Sequence, residues 1–169
     1  MRLAFTIVFL LISLSSFAQN IKRQTTRIDK KIKKIEKELI DVDSVFFIVI
    51  DTIKIDIKIW DNKIFTSNHF LRSNSFLEVY YYLWDNELIY IYTVEESPLA
   101  ENMGTFSFFY VFGGDVIYEN HGFSLMSGIS HPEKIDKYVC FGYNETFTEK
   151  FLREYSMVLY DIIKPTTQK

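Results

Sequence analysis

The spacing of apolar residues changes several times along this chain, and the first change lies close to the N-terminus. Residues 1–18 consist of a basic start at Arg2, a short apolar run over 3–14 and a small-x-small ending at Ala18. This order is typical of a secretory signal that is cleaved before Gln19. The apolar run is well short of the ~20 residues that a membrane-spanning helix needs. The sequence therefore predicts a cleavable signal peptide.

The single cysteine narrows the predicted location. A lipoprotein carries a cysteine directly after the cleavage site, whereas Cys140 lies far from it. A lone cysteine also cannot close a disulfide within the chain. The expectation is an exported protein, periplasmic or extracellular, that is not a lipoprotein.

A helical period follows the signal. Residues 26–40 carry an apolar stripe at helical spacing, formed by Ile28, Ile32, Ile35 and Leu39. Thr25 or Thr26 is expected to cap its start. The helix is predicted within an N-terminal segment, 19–42, ahead of a single domain over 43–169.

The N-terminal helix is also the most basic part of the chain. Residues 22–39 contain eight lysines and arginines against three acids, although the whole chain has a net charge of −3. Docking on the chain's own acidic domain is the favoured interpretation. Contact with a membrane surface is the weaker alternative, and no nucleic-acid partner is expected.

From Ser44 the period changes to that of a strand, and a hairpin pattern recurs three times. Each copy has an aliphatic residue, an aromatic residue, two turn residues, a charged residue and an aliphatic residue, with aromatics at Trp60, Trp84 and Phe112. Two-residue turns would pair the aliphatic residues as Ile59–Ile64, Leu83–Leu88 and Val111–Val116. They would pair the next residues as Trp60–Lys63, Trp84–Glu87 and Phe112–Asp115. The expected fold is α+β: an antiparallel β-meander between the basic helix and a C-terminal helix.

That second helix is predicted over 146–163 and ends before Pro165. Its principal apolar stripe is expected to consist of Phe151, Tyr155, Val158 and Ile162, with Leu152, Leu159 and Ile163 beside it. A face this broad predicts that the helix covers the sheet. A short helical turn is expected at 130–133.

The middle hairpin, Trp84–Tyr92 preceded by three tyrosines at 80–82, resembles a repeat of exported proteins from Bacteroidota-type bacteria. The resemblance covers residues 26–120 and includes the lysine-rich helix. It implies a fold and a compartment, but no activity. The chain departs from the repeat because Asp-Asn stands twice where the repeat has Asp-Gly.

The second and third hairpins are apolar on both faces, which is unusual for a sheet with one face in water. One face is expected to carry Leu77, Val79, Tyr81, Leu83, Leu88, Tyr90, Phe109 and Val116. The other, the aromatic face, is expected to carry Tyr80, Tyr82, Trp84, Ile89, Ile91, Phe106, Phe108, Tyr110 and Ile117. Either each terminal helix covers one face, or the aromatic face binds a glycan, peptide or partner protein, or it mediates self-association.

Few residues suggest catalysis or a metal. His69 and His121 stand at equivalent positions of two hairpins, which places both on the aromatic face as weak metal candidates, but zinc needs three or four ligands. Ser124, Ser127 and Cys140 are possible nucleophiles, with His121 or His131 as base, yet none lies in a recognisable motif.

The sequence thus favours a non-catalytic exported binding module, without cofactor, that acts through its aromatic face. Tyr80, Tyr82, Trp84 and Tyr110 are the predicted ligand-binding residues. The expected partner is an envelope protein, a peptide or a glycan. The alternatives are a small hydrolase or metal-dependent enzyme centred on His69 and His121, and a structural or inhibitory envelope protein.

Overall fold

A computed structural model describes residues 2–38, 41–96, 103–125, 128–130 and 147–164, with side chains over 19–38, 41–95, 104–122 and 147–164. Two helices and eight strands lie in these ranges: α1 (Arg2–Glu38), β1 (Ser44–Ile50), β2 (Ile53–Trp60), β3 (Lys63–Phe70), β4 (Ser75–Trp84), β5 (Glu87–Glu96), β6 (Met103–Phe112), β7 (Asp115–Leu125), β8 (Gly128–Ser130) and α2 (Glu149–Ile163). Predictions on Leu39, Ser127, His131, Cys140, Pro165 and most of 130–133 fall outside the described residues.

The strands form one antiparallel sheet in chain order, β1 to β8, so the predicted α+β meander is confirmed. This order follows from the short connections, because a two-residue turn can only return a strand beside the one before it. All six predicted hairpin pairs are confirmed, from Ile59–Ile64 to Phe112–Asp115.

Turn chemistry fixes two of these hairpins. Asp85, Asn86, Gly113 and Gly114 all have positive φ, between 54° and 90°, as a primed two-residue turn requires. Gly, Asn and Asp tolerate this region better than other residues.

Two β-bulges place several residues on the face opposite to the predicted one. The first lies in the middle hairpin. Tyr82 lies opposite Tyr90 and Leu83 opposite Leu88, so Ile89 has no residue opposite it. An extra residue reverses the alternation beyond it. Tyr90 therefore lies on the aromatic face and Ile91 on the core face, the opposite of the prediction.

The core lies between the sheet and α2. The helix faces it with a different stripe from the one predicted. Leu152, Leu159 and Ile163 are buried, whereas Val158 and Ile162 are exposed. Thr148 caps the helix by accepting a hydrogen bond from Phe151 N at 3.2 Å.

Helix α1 is longer than predicted, since it begins at Arg2 and continues through the predicted cleavage site. The prediction of a cap at Thr25 or Thr26 is wrong, because both hydroxyls donate to Lys22 O within the helix. The apolar stripe is confirmed at Ile28 and Ile35, which are buried against the sheet. In the described part of the chain, neither helix has a stretch long and apolar enough to cross a membrane.

Candidate functional site: the aromatic face of the sheet

Helix α1 crosses the aromatic face near the hairpin turns. Ile28 and Ile35 of its stripe are buried in one cluster with Tyr82 and Ile89 of the sheet. The side chains that surround this cluster are Ile32, Tyr80, Trp84, Tyr90, Tyr110 and Ile117. Since α2 covers the opposite face, each terminal helix covers one face, as one of the three interpretations of the sequence had it.

Polar contacts tie α1 to the sheet at two points. Tyr82 donates a hydrogen bond to Glu36, which also accepts one from Lys63 Nζ at 2.7 Å. About two helical turns nearer the N-terminus of α1, Asp29 accepts a hydrogen bond from Tyr110 at 2.7 Å. The helix residues in these contacts are acids, although the helix as a whole is basic.

These contacts shift the pKa values of the groups involved. Burial opposes the ionisation of Glu36, but hydrogen bonds from Lys63 and Tyr82 outweigh it and lower the pKa of that carboxyl group. Burial, followed by the hydrogen bond to Glu36, raises the pKa of Tyr82. The pKa of Tyr110 is raised by burial and by its bond to Asp29. All three groups therefore keep the protonation state that holds α1 in place around neutral pH.

Three of the four predicted binding residues are engaged by α1. Tyr82 is only 7% exposed. The ring of Trp84 lies under Lys31 Nζ and Lys34 Nζ, at 4.9 and 5.1 Å from its centroid. Tyr110 holds Asp29. These side chains anchor the helix, and the accessible part of the aromatic face lies elsewhere.

A second row of rings lies one register step farther from the turns. Phe65, Tyr80, Tyr92 and Phe108 face one another across four consecutive strands, β3 to β6. We call these four residues the aromatic platform. Ring centroids are 4.9 Å apart for Phe65–Tyr80 and 5.8 Å for Tyr80–Tyr92. All four rings are half-buried, so each presents part of its surface.

Polar side chains border the platform. The register continues the row to Lys58 at one end and to Asn120 at the other. In the adjacent row, Glu78 accepts a hydrogen bond from Tyr80 Oη at 2.7 Å. Burial, and then the charge of Glu78, raise the pKa of Tyr92. The hydroxyl group of Tyr92 therefore stays protonated at neutral pH.

A glycine shapes the far side of the platform. A Cβ atom at Gly122 would lie 2.3 Å from Cζ of Phe106, so the ring lies directly over the backbone of β7. Phe106 in turn stacks with Phe108 at 6.2 Å between centroids. Because Gly122 has no side chain, the ring of Phe106 can lie flat against β7 and extend the aromatic surface to that strand.

The two histidines do not share a face, which contradicts the placement expected from the sequence. His69 stacks on Phe76 on the aromatic face, with centroids 4.2 Å apart. Ile117 is the extra residue of a second bulge, at the position equivalent to Ile89, and it turns His121 to the core face. His121 there meets Phe109. A single metal ion cannot bind both imidazoles.

The core face contains a polar cluster in which His121 meets two residues that were not predicted from the sequence, Ser107 and Glu149. His121 Nδ1 lies 2.7 Å from Ser107 Oγ, and its Nε2 lies 3.9 Å from a carboxylate oxygen of Glu149. The order is that of a serine, a histidine and an acid, but Ser107 is 1% exposed. A buried hydroxyl is poorly placed to attack a substrate. The sequence signal for this row was the polar residues at core positions of three strands, Thr66 of β3, Thr93 of β5 and Ser107 of β6.

A cavity of about 350 Å³ opens where α1 ends, beside the β2–β3 turn. Four of the lining residues are acidic: Glu38, Asp41, Asp43 and Asp61. Among the described residues, however, no three histidine, cysteine or acidic side chains converge closely enough to hold a metal ion.

The chain matches no family model, no curated protein and no solved structure.

Proposed function

We propose that this chain is an exported, non-catalytic binding module and that the aromatic platform is its ligand-binding surface. Export rests on the signal pattern of residues 1–18. The observation that carries the binding proposal is the single row of four half-buried rings on four consecutive strands. Rings of this kind give large contact areas for little loss of conformational entropy, and tyrosine adds a polar group.

The chemistry of the platform favours an extended glycan as its ligand. Three strand intervals of about 4.8 Å give the row a length of about 14 Å, enough for a short oligosaccharide. The apolar faces of sugar rings match the aromatic floor. Lys58, Glu78 and Asn120 supply donors and acceptors for sugar hydroxyl groups at its border. Binding sites generally combine an apolar floor with a few polar groups in this way.

Isothermal titration calorimetry with soluble hexasaccharides of glucose, xylose and N-acetylglucosamine tests the proposal. At least one is expected to bind with a Kd below ~1 mM. A Tyr92→Ala/Phe108→Ala variant should lose that binding while its circular dichroism stays native. Phe112→Ala is the matched control, because Phe112 is an exposed aromatic residue at the end of β6, away from the platform.

Two results would reject the glycan. In one, no sugar binds at about 5 mM; in the other, the platform variant binds as well as the wild type. An envelope protein that crosslinks to the wild type but not to the platform variant would then favour the structural or inhibitory alternative.

A further inference from the structure

Strand β1 is the first strand of the sheet, and among the described strands it pairs only with β2. Its sequence, Ser44-Val-Phe-Phe-Ile-Val-Ile50, contains no charged residue. Proteins usually protect such an edge with lysines, prolines, bulges or a covering segment. The next strand shows the usual pattern, because β2 alternates isoleucine with Lys54, Asp56 and Lys58.

The apolar residues of β1 lie on both faces of the sheet. Phe46, Ile48 and Ile50 pack against the core under α2. On the aromatic side, Val45, Phe47 and Val49 are 68%, 73% and 56% exposed. Exposed apolar residues scattered singly are ordinary, but three in a row on an open strand form a continuous patch.

The backbone of the same three residues faces the open edge. Ile50 and Ile53 are opposite each other across the turn at 51–52, a position at which an antiparallel pair exchanges both hydrogen bonds. The pattern alternates along the strand, so the N–H and C=O groups of Val45, Phe47 and Val49 point away from β2. A further strand could pair with them.

We infer that β1 pairs antiparallel with β1 of a second copy of this chain, around a two-fold axis at Phe47. This register places Val45 opposite Val49 of the second copy, Phe46 opposite Ile48, and Phe47 opposite its own counterpart. Apolar residues thus meet apolar residues on both faces, as an isologous interface requires. The two sheets join into one, independently of any ligand on the aromatic platform.

The charges at the ends of the strand support this register. It brings Asp43 of one copy beside Asp51 of the other, and Asp51 already has Arg72 at 3.8 Å. Arg72 is exposed, and its guanidinium group has five donors, so it can bridge both carboxylates. The pairing therefore places one arginine between two acids at each end.

Sedimentation velocity on the full chain, expressed and purified from the envelope fraction, tests the inference. Between about 1 and 200 µM the wild type is expected to shift from monomer to dimer, because a single strand pair forms an interface at the small end of the range. Phe47→Lys should raise the dissociation constant roughly tenfold or more, since it puts two cations at the axis. Phe112→Lys, which puts a charge at another exposed ring far from β1, should leave the dissociation constant unchanged.

Arg72→Glu is the second variant, at an exposed residue outside the sheet core, and it should also weaken the dimer by leaving three acids together at each end. A wild type that stays monomeric at 200 µM overturns the inference, and β1 would then be an edge for a strand of another protein. A dimer that Phe47→Lys does not weaken overturns it as well, because the interface would lie elsewhere.

Discussion

Tyr82 of β4 donates a hydrogen bond to Glu36 of α1, and the same carboxylate accepts a second bond from Lys63 of β3. One acidic residue of the helix therefore holds two neighbouring strands. The ring of Tyr82 also lies under Lys63 Nζ, 5.0 Å from its centroid. The aromatic row nearest the turns thus serves as the docking surface for α1, which leaves the next row for other contacts.

The first prediction concerns the energy of this contact. Tyr82→Phe keeps the ring but removes the donor to Glu36, and should lower the free energy of unfolding by ~1.5 kcal/mol, as expected for a hydrogen bond to a charged group. Urea denaturation measures the change. Tyr118→Phe, on an exposed ring of β7, is the control. Equal stability of the two variants would show that the bond contributes nothing to docking.

The second prediction concerns pH. The pKa of Glu36 is lowered, so its contribution to stability is present above the ordinary value of 4.5 and is lost as the pH falls through the lowered value. The pKa values of Tyr82 and Tyr110 are raised from 10.0, so theirs is present below pH 10.0 and is lost as the pH rises above it.

Urea midpoints from about pH 3 to pH 11 measure this dependence. Glu36→Gln should be less stable than the wild type at pH 7, and the difference should shrink towards pH 3. A constant difference over the whole range would contradict the assignment. The fluorescence of Trp84 should change when α1 leaves the sheet, because Lys31 and Lys34 of that helix lie over the ring.

The turns and pairings of the sheet could be predicted because they depend on local chemistry. Residues 85–86 and 113–114 have the types that a primed turn needs, and each turn sets the register of its hairpin. The bulges at Ile89 and Ile117 could not be predicted, because isoleucine fits a regular strand equally well. Each shifts the alternation by one residue, which is why Tyr90, Ile91 and His121 lie on unexpected faces.

The candidate site could likewise be predicted only in part. Aromatic enrichment identified the face on which the platform lies, and Tyr80 belongs to the platform. Tyr82, Trp84 and Tyr110 were indistinguishable from it in sequence, since all four are aromatic residues of the same face. Only the path of α1 across the strands separates them, and that path depends on tertiary contacts such as Asp29 with Tyr110.

The third prediction distinguishes the two apolar stripes of α2. Leu159 is 1% exposed and Val158 is 58% exposed, although both are aliphatic and adjacent. Leu159→Ala should cost about 2–5 kcal/mol, whereas Val158→Ala should lie within about 0.5 kcal/mol of the wild type. Thermal and urea unfolding of the two variants provide the comparison. The reverse order would place the other stripe on the sheet.

The fourth prediction concerns the N-terminus. Intact-mass spectrometry of the exported protein should show a chain that begins at Gln19, and Ala18→Arg should block cleavage by removing the small residue before the cut. The α1 residues that pack on the sheet or bond to it include Ile28, Asp29 and Ile35, which all follow the predicted cut, so the cleaved protein should keep the helix docked. An exported protein that still starts at Met1 would contradict the predicted signal.

The fifth prediction tests the turn that orients the middle hairpin. Asn86 has a φ of 62°, where a Cβ-bearing residue other than Asn or Asp is strained. Asn86→Ala should therefore cost about 1–2 kcal/mol, while Asn86→Gly should match or slightly exceed the wild type. Asn62→Ala is the control, because the corresponding residue of the first hairpin is not among the positive-φ positions. If Asn86→Ala and Asn62→Ala prove equally stable, backbone conformation does not decide the register here, and cross-strand pairs such as Leu83–Leu88 must fix it instead.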